Sequence, residues 1–236
     1  MTHDRVTRAV LGTRYLDGFA RTPADDVAVG GMLAYCGVAS DSRRPLEVQM
    51  AGTTTWQIDP AHSTIEFAVK HMMFTTVRGR FKTFTGSIRV DEQNPNNSNV
   101  EVEIDAASID TGVGDRDAHL RSGDFLDVER YPKMTFRSSR VDGAHKKEGD
   151  RFKIAGELEI RGKGIPVTLD ATFEGLGKDP WGKQRAGFAA RTEIDRREWG
   201  LQWNQALETG GVLVGNSIKI EIEAQAVKEE AGQAVA

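Results

Sequence analysis

A single cysteine, Cys36, stands in 236 residues. No internal disulfide can staple this chain, and cysteine pairing says nothing about the redox state of its compartment. Charge of one sign is also missing. The net charge is −4 with Lys+Arg 31 against Asp+Glu 35, mixed along the chain, so no basic stripe marks a nucleic-acid partner. The histidines His3, His62, His71, His119 and His145 are isolated; with no HxxxH or HxH pair, nothing seeds a zinc site. There is no GxSxG elbow and no Walker loop, and "GVG" at Gly112–Gly114 lacks the strand-then-helix setting of a dinucleotide fingerprint. Neither a metal nor a cofactor is expected, and no enzyme class finds its motif.

Long apolar runs are lacking too. The uncharged stretch "VAVGGMLAYCGVAS" (Val27–Ser40) is shorter than the roughly 20 residues a spanning helix needs. Asp25 and Asp26 precede it, where a secretory signal wants positive charge. "LAYC" resembles a lipoprotein cleavage box, but the bulky Tyr35 spoils it. Residues 1–50 hold six Arg and no Lys, with no sustained period. They are expected to be a disordered extension or a start assigned too early, with Met32 or Met50 as the true start. Residues 51–236 would form the folded domain. With no signal seen, a cytoplasmic location is expected.

From "WQID" onward the period is two. Ile65, Phe67, Val69 and His71 share one face, and Glu66, Ala68 and Lys70 the other. Val100, Val102, Ile104 and Ala106 alternate with Glu101, Glu103 and Asp105, and the same pattern returns around Ile154, Leu169, Phe188 and Ile220. Each run predicts a strand with one buried and one wet face, the antiparallel signature. Turn formers separate them: "EQNPNNSN", "DGAHKKEGD", "RGKGIP" and "GLGKDPWGKQ". Val77, Gly79 and Phe81 have one parity, Phe84, Gly86 and Ile88 the opposite one, which calls for a β-bulge near Thr83.

Only two short helices are expected: "DRDAHLRSG", with Asp115 as cap and Gly123 as stop, and "NQALETGG", with Asn204 as cap. The fold is therefore all-β. About eight antiparallel strands remove their edges best by closing into a barrel; a sandwich would bury the same faces.

"DTGVGDRDAHLRSGDFLDVERYP" (Asp110–Pro132) interrupts the alternation with a dense set of charges. Its carboxylates lack calcium-loop spacing and sit where they favour a helix start. The inward parity instead collects Phe67, Val69, Phe81, Phe84, Ile104, Phe136, Ile154, Leu158, Leu169 and Phe188, a lining almost free of polar groups. Gly79, Gly86, Gly156, Ala171 and Ala190 share that face, where a self-filled barrel would want bulk, which favours a cavity. His71, inward at a strand end, would lie near a mouth.

Three blocks carry a resemblance: "WQIDPAHSTIEFAVKHMMFTTVRGRFKTFTGSI", "IDAASIDTGVGDRDAHLRSGDFLDVERYPKMTFRS" and "GKDPWGKQRAGFAARTEIDRREWGLQWNQALETGGVLVGNSIKIEIEAQAVK". In this order, over residues 55–228, the chain resembles the YceI family. The resemblance implies an extended, lipocalin-like antiparallel barrel with an apolar tunnel that holds isoprenoid or fatty chains, and in some members a homodimer. It implies that the Asp110–Pro132 block covers one barrel end, with Leu120, Phe125 and Leu126 pressed on the barrel. His71, Arg78, His119 and Arg121 are the candidates for meeting a polar or phosphorylated ligand head, arginine being suited to phosphate.

The expected function is binding, sequestration or transport of a long apolar ligand, a polyisoprenoid or fatty-chain lipid. The partner is thus a hydrophobic small molecule, with no nucleic acid and no membrane span, and the protein is not expected to be an enzyme. The alternatives are an enzyme acting on a lipid or quinone-like substrate through His71 or Asp115 and Asp117, and a structural stress-response protein whose barrel is solid.

Overall fold

The computed structural model describes residues 52–144, 147–208 and 210–230. The expected boundary at residue 50, Cys36, His3 and His145 lie outside the described residues. The alternating runs become eleven strands in one antiparallel sheet, and several join end to end into longer staves. β1 (Thr53–Ile58) and β2 (Thr64–His71) are one stave broken by a 3₁₀ turn at Pro60–His62. β3 (Thr75–Phe81) and β4 (Phe84–Asp91) make the second, antiparallel to β2 and β1 respectively. β5 (Asn99–Asp105) and β6 (Ile109–Asp110), split by a 3₁₀ turn, run beside β4 and β3.

β7 (Lys133–Asp142), β8 (Arg151–Ile160), β9 (Lys163–Lys178) and β10 (Gln184–Asp195) follow as a meander. β11 (Val214–Lys228) then pairs with β10 on one side and with β1 and β2 on the other, which closes the barrel. Counted as staves there are eight, an up-and-down barrel of lipocalin type. β9, at 16 residues, is far longer than the usual strand of about 5–6. The barrel is accordingly elongated.

Closure keeps apolar parity inside, and the breaks in parity are where the chain bends. At Lys82–Thr83 the expected bulge is a full interruption between β3 and β4, and it does the same work: Phe81 opposes Ile109 and Phe84 opposes Ile104, both from inside. Two further irregularities have no counterpart in the sequence reading. One at Ser139 lets Met134, Phe136 and Val141 all point inward. The other, at Glu174 in β9, brings Leu176 round to the cavity after Phe173. "RGKGIP" is a turn only at Arg161–Gly162, both with positive φ, and Pro166 already lies in β9 opposite Glu157.

One expected helix forms and one does not. α1 (Gly114–Arg121) is present, but Val113 holds the cap position without a side-chain bond, and Asp115 and Asp117 lie inside the first turn. Ser122, not Gly123, ends it. Over the described part of Asn204–Gly211 there is no helix. The Asn204 amide is committed sideways, accepting from the Val214 N–H at 3.0 Å and donating to its carbonyl at 2.7 Å. A single bridge joins Ala206 to Val212. A side chain bonded to a neighbouring strand in this way is lost to helix capping.

The buried apolar residues fall into three clusters rather than one. The largest, around Phe84, Ile104, Leu126, Trp199 and Leu201, fills one end. A second gathers Trp56, Ile88, Phe173, Ala186 and Ala226, a third Phe136, Val141, Ile154, Leu169 and Ala171. A compact domain usually shows one contiguous core, so this division already implies space along the axis.

Candidate ligand-binding tunnel

That space is a cavity of about 380 Å³ running inside the barrel, within the range of about 300–1,000 Å³ usual for ligand sites. Among the described residues no large side chain is completely sealed from solvent. Phe67, Val69, Phe81, Phe84, Ile104, Phe136, Ile154, Leu158, Leu169 and Phe188 all stand on its wall. Parity alone puts them there, because side-chain direction along a strand is a property of the backbone.

Two of the glycines, Gly79 and Gly156, do not hollow the barrel in the manner expected. A methyl group at Gly79 would fall 2.4 Å from the Phe67 ring, and one at Gly156 would fall 2.7 Å from the Phe136 ring and 2.5 Å from the Arg137 carbonyl. At both positions the space of the missing side chain is taken by an aromatic ring packed against the strand. These two glycines help to keep the lumen open indirectly, by leaving room at the wall for large rings.

The two ends differ. At one, Phe125, Leu126, Trp199 and Leu201 form a buried plug, and the Trp199 indole donates to the Leu158 carbonyl at 3.0 Å. The Asp110–Pro132 block is part of this cover. Leu120, Phe125 and Leu126 reach the cavity from it. Several of its charges bind the block to itself and to the adjoining strands: Asp117 Oδ1 accepts from the Thr111 N–H at 2.9 Å and its hydroxyl at 2.5 Å, Arg116 donates to Thr111, and Asp110 pairs with Lys82 at 2.8 Å. At the other end the lining reaches Glu92, Pro95, Ser98, Ala144 and Leu176, and Leu176 is mostly exposed. That end is the mouth.

The four head-group candidates do not converge, and none lines the cavity. Arg78 lies between the inward Val77 and Gly79, so alternation turns it out to Glu221 at 3.8 Å. Arg121 donates to the Ala107 and Ile109 carbonyls at 2.7 and 2.6 Å, clamping α1 to the end of the third stave. His119 bonds Asp124 at 2.9 Å and stands edge-on to the Phe125 and Trp203 rings. His71, at the end of β2, is half-buried outside the lining.

Among the described residues one cation does reach the lumen, Arg196, which the sequence reading passed over. It is 3% exposed and donates to the carbonyls of Gly215 and Trp203 at 3.0 Å each and also to that of Leu201. Burial pushes its pKa below the ordinary arginine value, with Asp195 pulling the other way. It ties the long β10–β11 connection onto the barrel floor, and its donors are aimed at backbone. Nothing in "DRREWG" distinguishes it from Arg197, an exposed arginine whose partner is the half-buried Asp195. Among the described residues no group of three or more His, Cys, Asp or Glu is placed to hold a metal, and no helix is long and apolar enough to cross a membrane.

The comparisons with known proteins agree with this geometry. A family model described as a YceI-like domain matches residues 56–226. Protein YceI of Escherichia coli O157:H7 is 41% identical over 141 residues, 60% of this chain and 72% of that protein. The crystal structure of the YCEI protein of Campylobacter jejuni superposes with a TM-score of 0.58 at 28% identity, covering 68% of this chain and 90% of that one. A polyisoprenoid binding domain from Saccharophagus degradans, implicated in plant cell wall breakdown, matches with a TM-score of 0.57 over 74% of this chain and 98% of that one. At 14% identity it shares the fold alone.

Proposed function

This chain belongs to the YceI-like family, and from that premise we propose that it binds a long apolar molecule, a polyisoprenoid or fatty chain, in the barrel and carries or sequesters it. The observation that carries the reading is the tunnel itself, an apolar-walled space of about 380 Å³ open at one end. The fold shared with a polyisoprenoid binding domain supports the chain chemistry. The energetics suffice without a polar anchor. Burying about ten methylenes yields roughly 8 kcal/mol gross, which reaches the micromolar range before ordering costs. Selection among ligands then rests on length and girth.

The test is to purify the full chain from a bacterial host under native conditions, extract it with organic solvent and identify the lipid by mass spectrometry. A stoichiometric long-chain lipid is expected, and its loss in Phe67→Glu and Leu158→Glu variants whose circular dichroism is unchanged. A protein that comes clean and also refuses added prenyl lipids would overturn the reading.

A further inference from the structure

The β9–β10 hairpin rises beside the tunnel mouth and ends in "KDPWGK", Lys178–Lys183. Its tip is built to hold one residue out. Asp179 takes the Trp181 and Lys183 N–H groups at 3.0 and 2.9 Å and the Arg185 guanidinium at 3.0 Å, while its own N–H donates to the Lys183 carbonyl. On this hydrogen-bonded turn Trp181 is 82% exposed, the most exposed of the large apolar side chains described. An indole gains much by burial and loses entropy only over two torsions, so holding one in water is costly unless something covers it. Below it on the same hairpin, Leu176 is both 65% exposed and part of the tunnel lining. The hairpin thus carries two exposed apolar side chains, one at its tip and one on the tunnel lining.

The charges at the tip point to what covers it. Asp179 is committed to Arg185, and Lys178 and Lys183, both exposed, flank the indole and pair with no acidic side chain among the described residues. The neighbouring β7–β8 connection adds charges of both signs with Lys147 and Glu148. An exposed Trp between two lysines suits the headgroup layer of a bilayer, where indole sits at the interface and each lysine near an anionic surface adds to binding.

We propose that the Lys178–Lys183 tip docks the tunnel mouth on an anionic lipid bilayer, with Trp181 inserted among the headgroups, so that an apolar ligand passes between membrane and lumen along Leu176. The inference rests on the carrier reading. A ligand insoluble in water needs such a route, since release into solvent would cost all that burial gains.

The experiment uses the full chain with vesicles of mixed phosphatidylglycerol and phosphatidylcholine, and of phosphatidylcholine alone. Trp56 and Trp199 are buried and Trp203 half-buried, so a blue shift on vesicle addition reports mainly Trp181. The shift and co-sedimentation are expected with the anionic vesicles and should weaken with salt. Trp181→Ser should abolish the shift, and Lys178→Glu with Lys183→Glu should weaken partitioning by about tenfold or more.

Loading is measured separately, with a prenyl lipid supplied from ethanolic solution and from vesicles. Trp181→Ser should load normally from solution and several-fold more slowly from vesicles. Equal vesicle loading by parent and variant would overturn the docking proposal, and so would absence of any vesicle binding by the parent. Failure of the parent to load from either source would instead overturn the carrier reading. The opposite end presents its own exposed tip, Met73 and Phe74. If Phe74→Ser and not Trp181→Ser abolished vesicle binding, the mouth assignment would fall with the proposal.

Discussion

Asp59 stands where β1 breaks into β2, and its carboxylate holds three parts of the barrel. Oδ1 accepts from the Ala61 N–H at 3.1 Å, while Oδ2 receives Arg185 of β10 at 2.7 Å and His62 at 2.9 Å. The Arg185 hydrogen bond first, then that of His62, outweighs burial and lowers its pKa from 3.8 to about 2. A carboxylate depressed on folding stabilises the native state above its unfolded pKa, and that contribution is lost as pH falls through the folded value. Thermal unfolding scanned with pH should therefore show the melting temperature dropping between about pH 4 and about 2. Asp59→Asn should melt lower than the parent near neutrality and show a shallower acid limb. An identical acid limb in the variant would remove Asp59 from the response. Asp195 is lowered to about 2 by Arg197, but Arg197 is exposed and Asp195 about a third exposed, so solvent screens the pair and Asp59 is the residue to change.

At this scale the sequence was legible for apolar side chains and not for the heads of long polar ones. Phe67 or Leu169 must face inward once parity is known. Parity also sends Arg78 outward, a signal already present in "TTVRGRF" that outweighs the suitability of arginine for a phosphate head. Arg196 carries no such mark, because its carbonyl partners on Leu201, Trp203 and Gly215 are assembled by the fold of a loop.

Among the elements, the staves are built on pairs of ring and glycine, and the two pairs differ in what would yield. At Gly79 the nearest atoms belong to Phe67 and Thr111 side chains, whereas at Gly156 the Arg137 carbonyl oxygen is closest at 2.5 Å. Side chains rotate, but a carbonyl in a ladder does not. Gly79→Ala should fold, swing the Phe67 ring into the lumen and reduce bound lipid, and adding Phe67→Leu should restore occupancy. Gly156→Ala should instead lose about 1–3 kcal/mol of stability in urea unfolding, the range for overpacking. If Gly79→Ala held a full complement of lipid, the glycine would have no part in keeping the tunnel clear.

Strands and turns were readable because each is a local pattern. The irregularities at Ser139 and Glu174 were not, since a bulge shows in sequence only when inward residues change parity conspicuously, as they do across Lys82–Thr83. The missing helix at Asn204 fails for the same reason: its capping group is claimed by Val214, ten residues away in sequence.

For the whole molecule, the divided core and the open lumen imply a trade between stability and binding. A barrel that keeps space for a guest forgoes the contacts its own side chains would make there. Ala190, on the lumen wall between Ala171 of β9 and Ile222 of β11, offers a test of sign. In a solid barrel, Ala190→Leu would overpack and cost about 1–3 kcal/mol. In a hollow one the added carbons find apolar surface previously open to water, each buried methylene being worth about 0.8 kcal/mol. The delipidated variant should then melt higher than the delipidated parent. Ligand adds a second, opposite comparison. A molecule bound only by the folded state raises the melting temperature with its concentration, so a prenyl lipid should stabilise the parent and leave the filled variant unmoved. A variant that melted below the parent without lipid, while responding to lipid as the parent does, would mean that Ala190 faces packed protein and that the guest lies elsewhere.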